Sequence, residues 1–233
     1  PTAPEIQYRS ILAMICEHAD RSPDQDCLIS IGQGISLTWR QLYRLTNKLS
    51  AWLHAHAIGP NDRILVLTDN SLENLILYYG IQRHGATFCT VNVDINANHM
   101  QEIIDRLNPR FVFWHDALNI GDMAKTAAGD WIRFGAADPN GTAAADGGLF
   151  AELNEYDGDT EPPEVSGEGD DAVICFTSGT TDRPKGVIHS FGNYNYIGAQ
   201  TAYLWGLTDT DRVLEYRSFS WSSSHQIVLQ PLL

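Results

Sequence analysis

Four cysteines are scattered through the 233 residues, and no two of them form a C-x-x-C pair. That spacing excludes a thioredoxin-type redox motif and a cysteine-based zinc module. Cys16, Cys27, Cys89 and Cys175 lie mostly in apolar stretches, so they read as buried free thiols, consistent with a reducing cytoplasm. No apolar run approaches the length of a membrane span, and "ILAMIC" near the start is too short for a secretory core. Lysine and arginine are absent from residues 134–182, where twelve acidic residues fall. The rest of the chain carries fifteen bases against seventeen acids, so the formal charge of −14 belongs largely to one segment. Without clustered Lys and Arg, nothing here makes a nucleic-acid surface. Also missing are a G-x-S-x-G elbow and a G-x-x-x-x-G-K-[ST] string, which argues against an α/β-hydrolase and a P-loop NTPase.

What is present is an ordinary globular composition, 43% hydrophobic and 19% charged, in a chain long enough for one substantial core. Residues 10–20 read as a helix, and "CLISI" with "ISLTW" as a hairpin about Gly32 and Gly34. Thr38 and Gln41 have the spacing of a capping box, and Leu42, Leu45, Leu49 and Leu53 form one helical stripe stopped at Gly59 and Pro60. "RILVLT" (63–68) is a continuous apolar strand, as expected where both faces are covered. A helix over 71–83, a strand at 86–93, a helix near 98–107 and a strand at 110–114 follow. This alternation predicts an α/β fold with a mostly parallel sheet flanked by helices. Residues 1–128 read as a first α/β subdomain. Residues 129–170 read as an acidic surface connection with at most one helix, expected to be more mobile than its flanks. Residues 171–233 read as the start of a second α/β subdomain, with a helix over 192–205 and a strand over 212–216.

The chemistry concentrates in "FTSGTTDRPKGVIHS" (176–190). The preceding "DAVICF" reads as a buried strand and "GVIHS" as a second one. Between them small hydroxyl side chains and glycine let the backbone approach a ligand, and successive N–H groups in such a loop cradle phosphate oxygens. Pro184 fixes its own φ, and Lys185 adds a mobile point charge suited to the same oxygens. The alternative is a solvated Ser/Thr/Gly turn. Other constellations are weaker. His54 and His56 would point to different sides of a helix, which disfavours a metal pair. "SWSSSH" (220–225) places Ser beside His, but without an elbow it shows no catalytic triad.

The ordered string "TSGTTDRPKGV" resembles the phosphate-binding motif of the adenylate-forming (AMP-binding) enzymes, which include acyl- and aryl-CoA synthetases and peptide-synthetase adenylation domains. It departs at Asp182, where that family usually has Gly. "RSPDQDCLI" (21–29), the run from 37 to 74 and "HGATFCTVN" (84–92) are similar to earlier elements of the same family in order and spacing. Only its N-terminal portion is matched. The later Y-G-x-T-E and T-G-D strings, the hinge, the late Lys and the small C-terminal domain are absent.

The resemblance implies part of the large N-terminal domain of the adenylate-forming fold. It implies a carboxylic acid–CoA ligase that forms an acyl-adenylate from acid and ATP and then an acyl-CoA, with ATP, Mg²⁺ and coenzyme A as cofactors. It assigns Thr177, Ser178, Gly179, Thr180, Thr181 and Lys185 to the triphosphate, Lys185 also as the catalytic cation and Thr180 also to Mg²⁺. It sets Ser220 and Trp221 where the family often has an aromatic–His pair, with His225 displaced by a turn. Trp221 then reads as a wall of the acid pocket or as a buried core residue. The alternatives are an adenylating enzyme that loads a carrier-protein thiol, and a non-catalytic nucleotide-binding module. The expected partners are small molecules, and these residues alone are expected not to complete the reaction.

Overall fold

The structure is a computed structural model that describes residues 5–118, 120, 128–136, 148–177 and 184–233. Its centre is a six-stranded sheet in the order β6-β5-β3-β4-β7-β8. The strands are β3 (Arg63–Leu67), β4 (Thr87–Thr90), β5 (Phe111–His115), β6 (Asp130–Phe134), β7 (Asp171–Thr177) and β8 (Lys185–Ser190). The first five of these in chain order pair in parallel, and β8 turns back antiparallel to β7. A separate antiparallel hairpin, β1 (Asp26–Ser30) and β2 (Ile35–Thr38), joins α1 (Ile11–Arg21) to α2 (Trp39–Ala55).

Strand alternation sorts the apolar residues into two layers. Ile64, Val66, Phe88, Phe111, Phe113, Val173 and Cys175 join a large core with α1, α2 and α3 (Leu72–His84). Leu65, Leu67, Cys89, Val112 and Ile174 face a smaller core closed by Met100, Ile103, Ile104 and Leu107 of α4 (Ala97–Leu107). Those four α4 residues recur at the spacing of one helical stripe, as a helix with one buried face requires. The α2 stripe behaves the same way, with Leu42, Leu45, Leu49 and Leu53 all buried. The helix begins with the capping box expected of it: Thr38 Oγ1 accepts from the Gln41 N–H, and Gln41 Oε1 accepts from the Thr38 N–H.

Helix α3 is different, because all of its residues are buried, including Glu73, Arg83 and His84. Such a helix has no polar face, so its charged groups must find partners inside. Arg83 donates to Asn47 Oδ1 at 2.9 Å, Ser50 Oγ at 3.0 Å and the Pro162 carbonyl at 2.7 Å. His84 pairs with Ser50 Oγ at 3.1 Å and with the Ile58 carbonyl at 3.0 Å. The helix ends at Gly85, whose φ of +105° suits glycine, and a Cβ there would lie 2.7 Å from the Ser166 nitrogen.

The acidic stretch departs from its expected form. Residues 130–134 are strand β6, the sheet edge beside β5. Beyond it α5 (Leu149–Glu152) buries Leu149 and Phe150 on the large core, and Leu153 follows them in. Residues 152–166 then run along α2 and α3 as a strap. Trp52 Nε1 donates to Glu152 Oε2 (2.9 Å), Asn47 Nδ2 to the Gly158 carbonyl (3.0 Å) and Tyr43 OH to Glu161 Oε2 (3.2 Å). His54 Nε2 reaches the Pro163 carbonyl (2.8 Å), and the Val165 N–H donates to the His84 carbonyl (2.9 Å). Side chains of α2 thus hold a segment with few apolar anchors of its own. The sheet also crosses both boundaries drawn from the sequence, since β6 and β7 pair with β5 and β4.

After β8 come α6 (Phe191–Trp205) and an extended segment, then a helical tail over residues 222–232 whose middle, His225–Leu229, is π-helical. The tail docks on α3: Tyr79 OH donates to the Leu229 carbonyl at 2.7 Å, and Gln230 Nε2 to Tyr78 OH at 2.8 Å. The strand expected over 212–216 does not form. Leu214 and Tyr216 are 71% and 83% exposed there, and apolar, β-branched residues make a strand only where a neighbouring strand accepts them. The four cysteines are free thiols, Cys89 and Cys175 buried and the other two partly so. Among the described residues no helix is long and apolar enough to cross a membrane.

Candidate functional site

Strands β7 and β8, both read from the sequence, pair with each other as an antiparallel hairpin. Its ladder runs from Asp171 opposite Ser190 to Thr177 opposite Lys185. Thr177 is the last residue of β7 and Lys185 the first of β8, so the intervening loop leaves from the carboxyl end of a parallel sheet. That end is where open α/β sheets bind ligands. Lys185 is exposed. Gly186 faces Ile174 and Phe176, whose atoms would lie 3.1 and 3.2 Å from a Cβ at that position. Pro184 is buried, and its carbonyl accepts from the Arg106 guanidinium of α4 at 3.1 Å. The closing stem of the loop is therefore held from the helix on the α4 face. Sequence reasoning passed over Arg106, because nothing local in residues 97–107 signals a partner so distant in sequence. Ser178, Gly179, Thr180 and Thr181, with Asp182, lie outside the described residues.

A second element reaches the same edge. Asn70 lies just past the carboxyl end of β3, and its amide grips residues 217–219 with both ends. Nδ2 donates to the Arg217 carbonyl at 2.6 Å, and Oδ1 accepts from the Phe219 N–H at 2.8 Å. Arg217 is itself folded onto Glu215, whose carboxyl is held below its usual range by that guanidinium against the opposing effect of burial. Ser218 and Ser220 share a hydroxyl contact of 2.8 Å. Trp221 follows, 56% exposed at the start of the helical tail. The reading of Trp221 as a buried core residue is overturned by this exposure.

His225 is fully buried and, among the described residues, belongs to neither a Ser–His pair nor a metal cluster. Its Nε2 lies 2.6 Å from the Phe219 carbonyl, so Nε2 carries the proton and donates. Nδ1 is then the acceptor, facing Tyr194 OH at 3.4 Å and the Cys175 sulfur at 3.6 Å. Burial pushes the imidazole down to about 4, so it is neutral near pH 7. Burial pushes the Cys175 thiol up to about 11, which leaves it unreactive as a nucleophile. Ser224 donates to the Ser218 carbonyl at 3.1 Å rather than to a histidine. Among the described residues no three His, Cys, Asp or Glu side chains converge on a metal position. His54 and His56 diverge as their spacing implies, His54 onto Pro163 and His56 stacked on Trp52 at 3.7 Å between ring centroids.

The structure thus sets the stem of the β7–β8 hairpin and residues 217–221 along one edge of one sheet, with β4 between β3 and β7. In sequence the chain is similar to several known proteins. It is 28% identical over 205 residues to the long-chain-fatty-acid–CoA ligase FadD13 of Mycobacterium tuberculosis, covering 86% of this chain and 39% of that protein. It is 27% identical over 205 residues to the 3-hydroxybenzoate–CoA ligase of an Aromatoleum species, covering 85% and 38%. A match to bacitracin synthase 3 of Bacillus licheniformis is 28% identical over 216 residues, covering 93% of this chain and 3% of that protein. The chain therefore spans well under half the length of these relatives. Among solved structures, the ATP-bound MatB of Rhodopseudomonas palustris superposes with a TM-score of 0.77 at 19% identity, covering 97% of this chain and 43% of that one. The N-terminal domain of FACL13 from Mycobacterium tuberculosis gives 0.75 at 23% identity, covering 96% and 54%. Both share the mixed α/β fold with its mostly parallel, helix-flanked sheet. Residues 15–233 match the AMP-binding enzyme family, and the chain belongs to that family.

Proposed function

We propose that the protein containing this chain activates a carboxylic acid with ATP and transfers the acyl group to the thiol of coenzyme A. The carboxylate oxygen attacks the α-phosphorus, the bond to the β-phosphate breaks, and pyrophosphate leaves. The thiol sulfur then attacks the acyl carbon of the adenylate and AMP departs with the bonding pair. The observation that supports this reading is the β7–β8 hairpin, whose last pair, Thr177 and Lys185, lies at the carboxyl edge of the sheet in a chain of this family. Its site residues are Thr177, Ser178, Gly179, Thr180, Thr181 and Lys185 for the triphosphate, with Trp221 beside the acid. Lys185, exposed at the hairpin stem, is the cation that neutralises charge as pyrophosphate departs. Mg²⁺ would reach this chain through the Thr180 hydroxyl and the ATP phosphates.

A second acceptor is supported by one observation. The similarity to bacitracin synthase 3 is as high as that to the CoA ligases, so loading of a carrier-protein thiol remains the competing reading.

The test is ATP–pyrophosphate exchange in the full-length protein across a panel of fatty and aromatic acids, followed by thioester formation with CoA or a carrier protein. Lys185→Ala should lower exchange by about 10²–10³-fold, the usual loss for one preorganised donor, without altering the fold. Unchanged exchange in that variant would remove Lys185 from the site. No exchange with any acid would end the ligase reading.

A further inference from the structure

Four hydrogen bonds from three side chains converge on a short stretch that has no ladder partner among the described residues. Asn70, leaving the end of β3, holds Arg217 and Phe219 through their backbones. His225, from the buried tail, holds the Phe219 carbonyl from the other side. Ser224 holds the Ser218 carbonyl. Residues 217–221 therefore owe their position to side chains, where a β-strand would owe it to a ladder. An amide that both donates to and accepts from a main chain stands in for the missing neighbouring strand.

The two grips differ in kind. Asn70 is exposed, so its contacts compete with water and contribute little to global stability. His225 is buried among Tyr78, Phe88 and Tyr194, with ring centroids 4.8, 5.9 and 6.4 Å away. Its Nδ1 faces Cys175, which lies on β7 close to Thr177, where the phosphate loop begins. One neutral imidazole thus touches the strand that launches the phosphate loop and the stretch that carries Trp221. β3 and β7 are separated only by β4, a lateral distance of about 10 Å. That distance suits a substrate joined to ATP at one end and held by an aromatic wall at the other.

We propose that Asn70 and His225 are positioning residues that clamp residues 217–221 to the carboxyl edge of the sheet and so present Trp221 to the carboxylic-acid substrate. The proposal rests on the ligase reading given above and adds to it how the acid end of the site is held. Neither residue touches substrate. Both act through the backbone of Phe219.

The test compares four variants of the full-length protein: Asn70→Ala, His225→Phe, His225→Gln and Trp221→Ala. Asn70→Ala removes both contacts from an exposed loop residue and leaves the core untouched. His225→Phe removes the donor, whereas His225→Gln keeps an N–H able to reach the Phe219 carbonyl. Loosening a positioned wall should raise KM for the acid by about ten- to a hundredfold. KM for ATP should stay within about twofold, because the clamp bears on only one substrate. His225→Gln should recover most of the loss, and Trp221→Ala should share the acid-specific effect. In Asn70→Ala the Phe219 amide should also exchange with deuterium faster than in wild type, a readout independent of activity.

If Asn70→Ala leaves acid KM and Phe219 exchange unchanged, the clamp is overturned, even where His225→Phe fails to fold. If Trp221→Ala leaves acid KM unchanged while exchange activity persists, the presentation of Trp221 is overturned and the ligase reading survives. If wild type shows no activity with any acid, the ligase reading fails and the proposal falls with it, while faster Phe219 exchange in Asn70→Ala still establishes the grip as a structural one.

Discussion

Acidification should destabilise this fold well before its exposed carboxylates are neutralised, because two histidines are buried in their neutral form. Burial is the main cause in both, and each is pushed down to about 4 from an ordinary value near 6.5. His84 also feels His54 and Arg83, which lower it further, while the Ile58 carbonyl and Asp62 oppose. For His225 the Phe219 carbonyl and Glu215 oppose, and His189 adds to the lowering. The unfolded chain takes up these protons first. The stabilisation is therefore fully present above the unfolded value of about 6.5 and is lost progressively as pH falls toward about 4. Between about pH 7 and about pH 5 each histidine should cost about 2 kcal/mol, and the pair about 4 kcal/mol. That is a large share of the ~5–15 kcal/mol by which domains are usually stable. Glu164, pushed up by burial, works in the opposite direction near its own range, and the lowered, exposed Asp157 and Asp211 matter only at lower pH. Urea unfolding of the full-length protein at a series of pH values measures the effect. His84→Asn, which cannot titrate, should flatten the slope by about half. An unfolding midpoint that stays constant from about pH 7 to about pH 5, or a slope unchanged in His84→Asn, would refute the reasoning.

Other expectations follow from the same contacts. Arg83→Met should destabilise by about 3–5 kcal/mol in chemical denaturation, since it removes the donors that Asn47 Oδ1, Ser50 Oγ and the Pro162 carbonyl accept from inside the protein. Thr38→Ala should cost about 1 kcal/mol by removing the N-cap of α2, read from the shift in urea midpoint. Hydrogen exchange at the Val165 amide, bonded to the His84 carbonyl, should be slow and comparable to that of α2, and fast exchange there would show the strap to be detached.

Much of this molecule was legible in its sequence. The stripe of Leu42, Leu45, Leu49 and Leu53, the Thr38–Gln41 capping box and the continuous run at 63–67 are local patterns. Helix period, cap chemistry and apolar continuity act over a few residues, so the sequence alone sets them. The two strands on either side of "TSGTTDRPK" were readable for the same reason, and the ordered motif between them pointed to the family. Thr177 and Lys185, read as loop residues, instead form the last pair of that hairpin's ladder.

What lay beyond reach were partnerships across long separations. Residues 212–216 have the composition of a strand, but a strand exists only where another offers its ladder, and none among the described residues does. The acidic stretch looked like a loose connection because its own apolar groups are few. Its anchors are Tyr43, Asn47, Trp52 and His54, all contributed by a helix about a hundred residues earlier. Arg106 on Pro184, Asn70 on Phe219 and His225 between Phe219 and Cys175 are contacts of the same kind. Local physics fixed the elements and the motif by the sequence alone. Only the tertiary structure decided which backbone groups, left unpaired by those elements, would be satisfied by distant side chains.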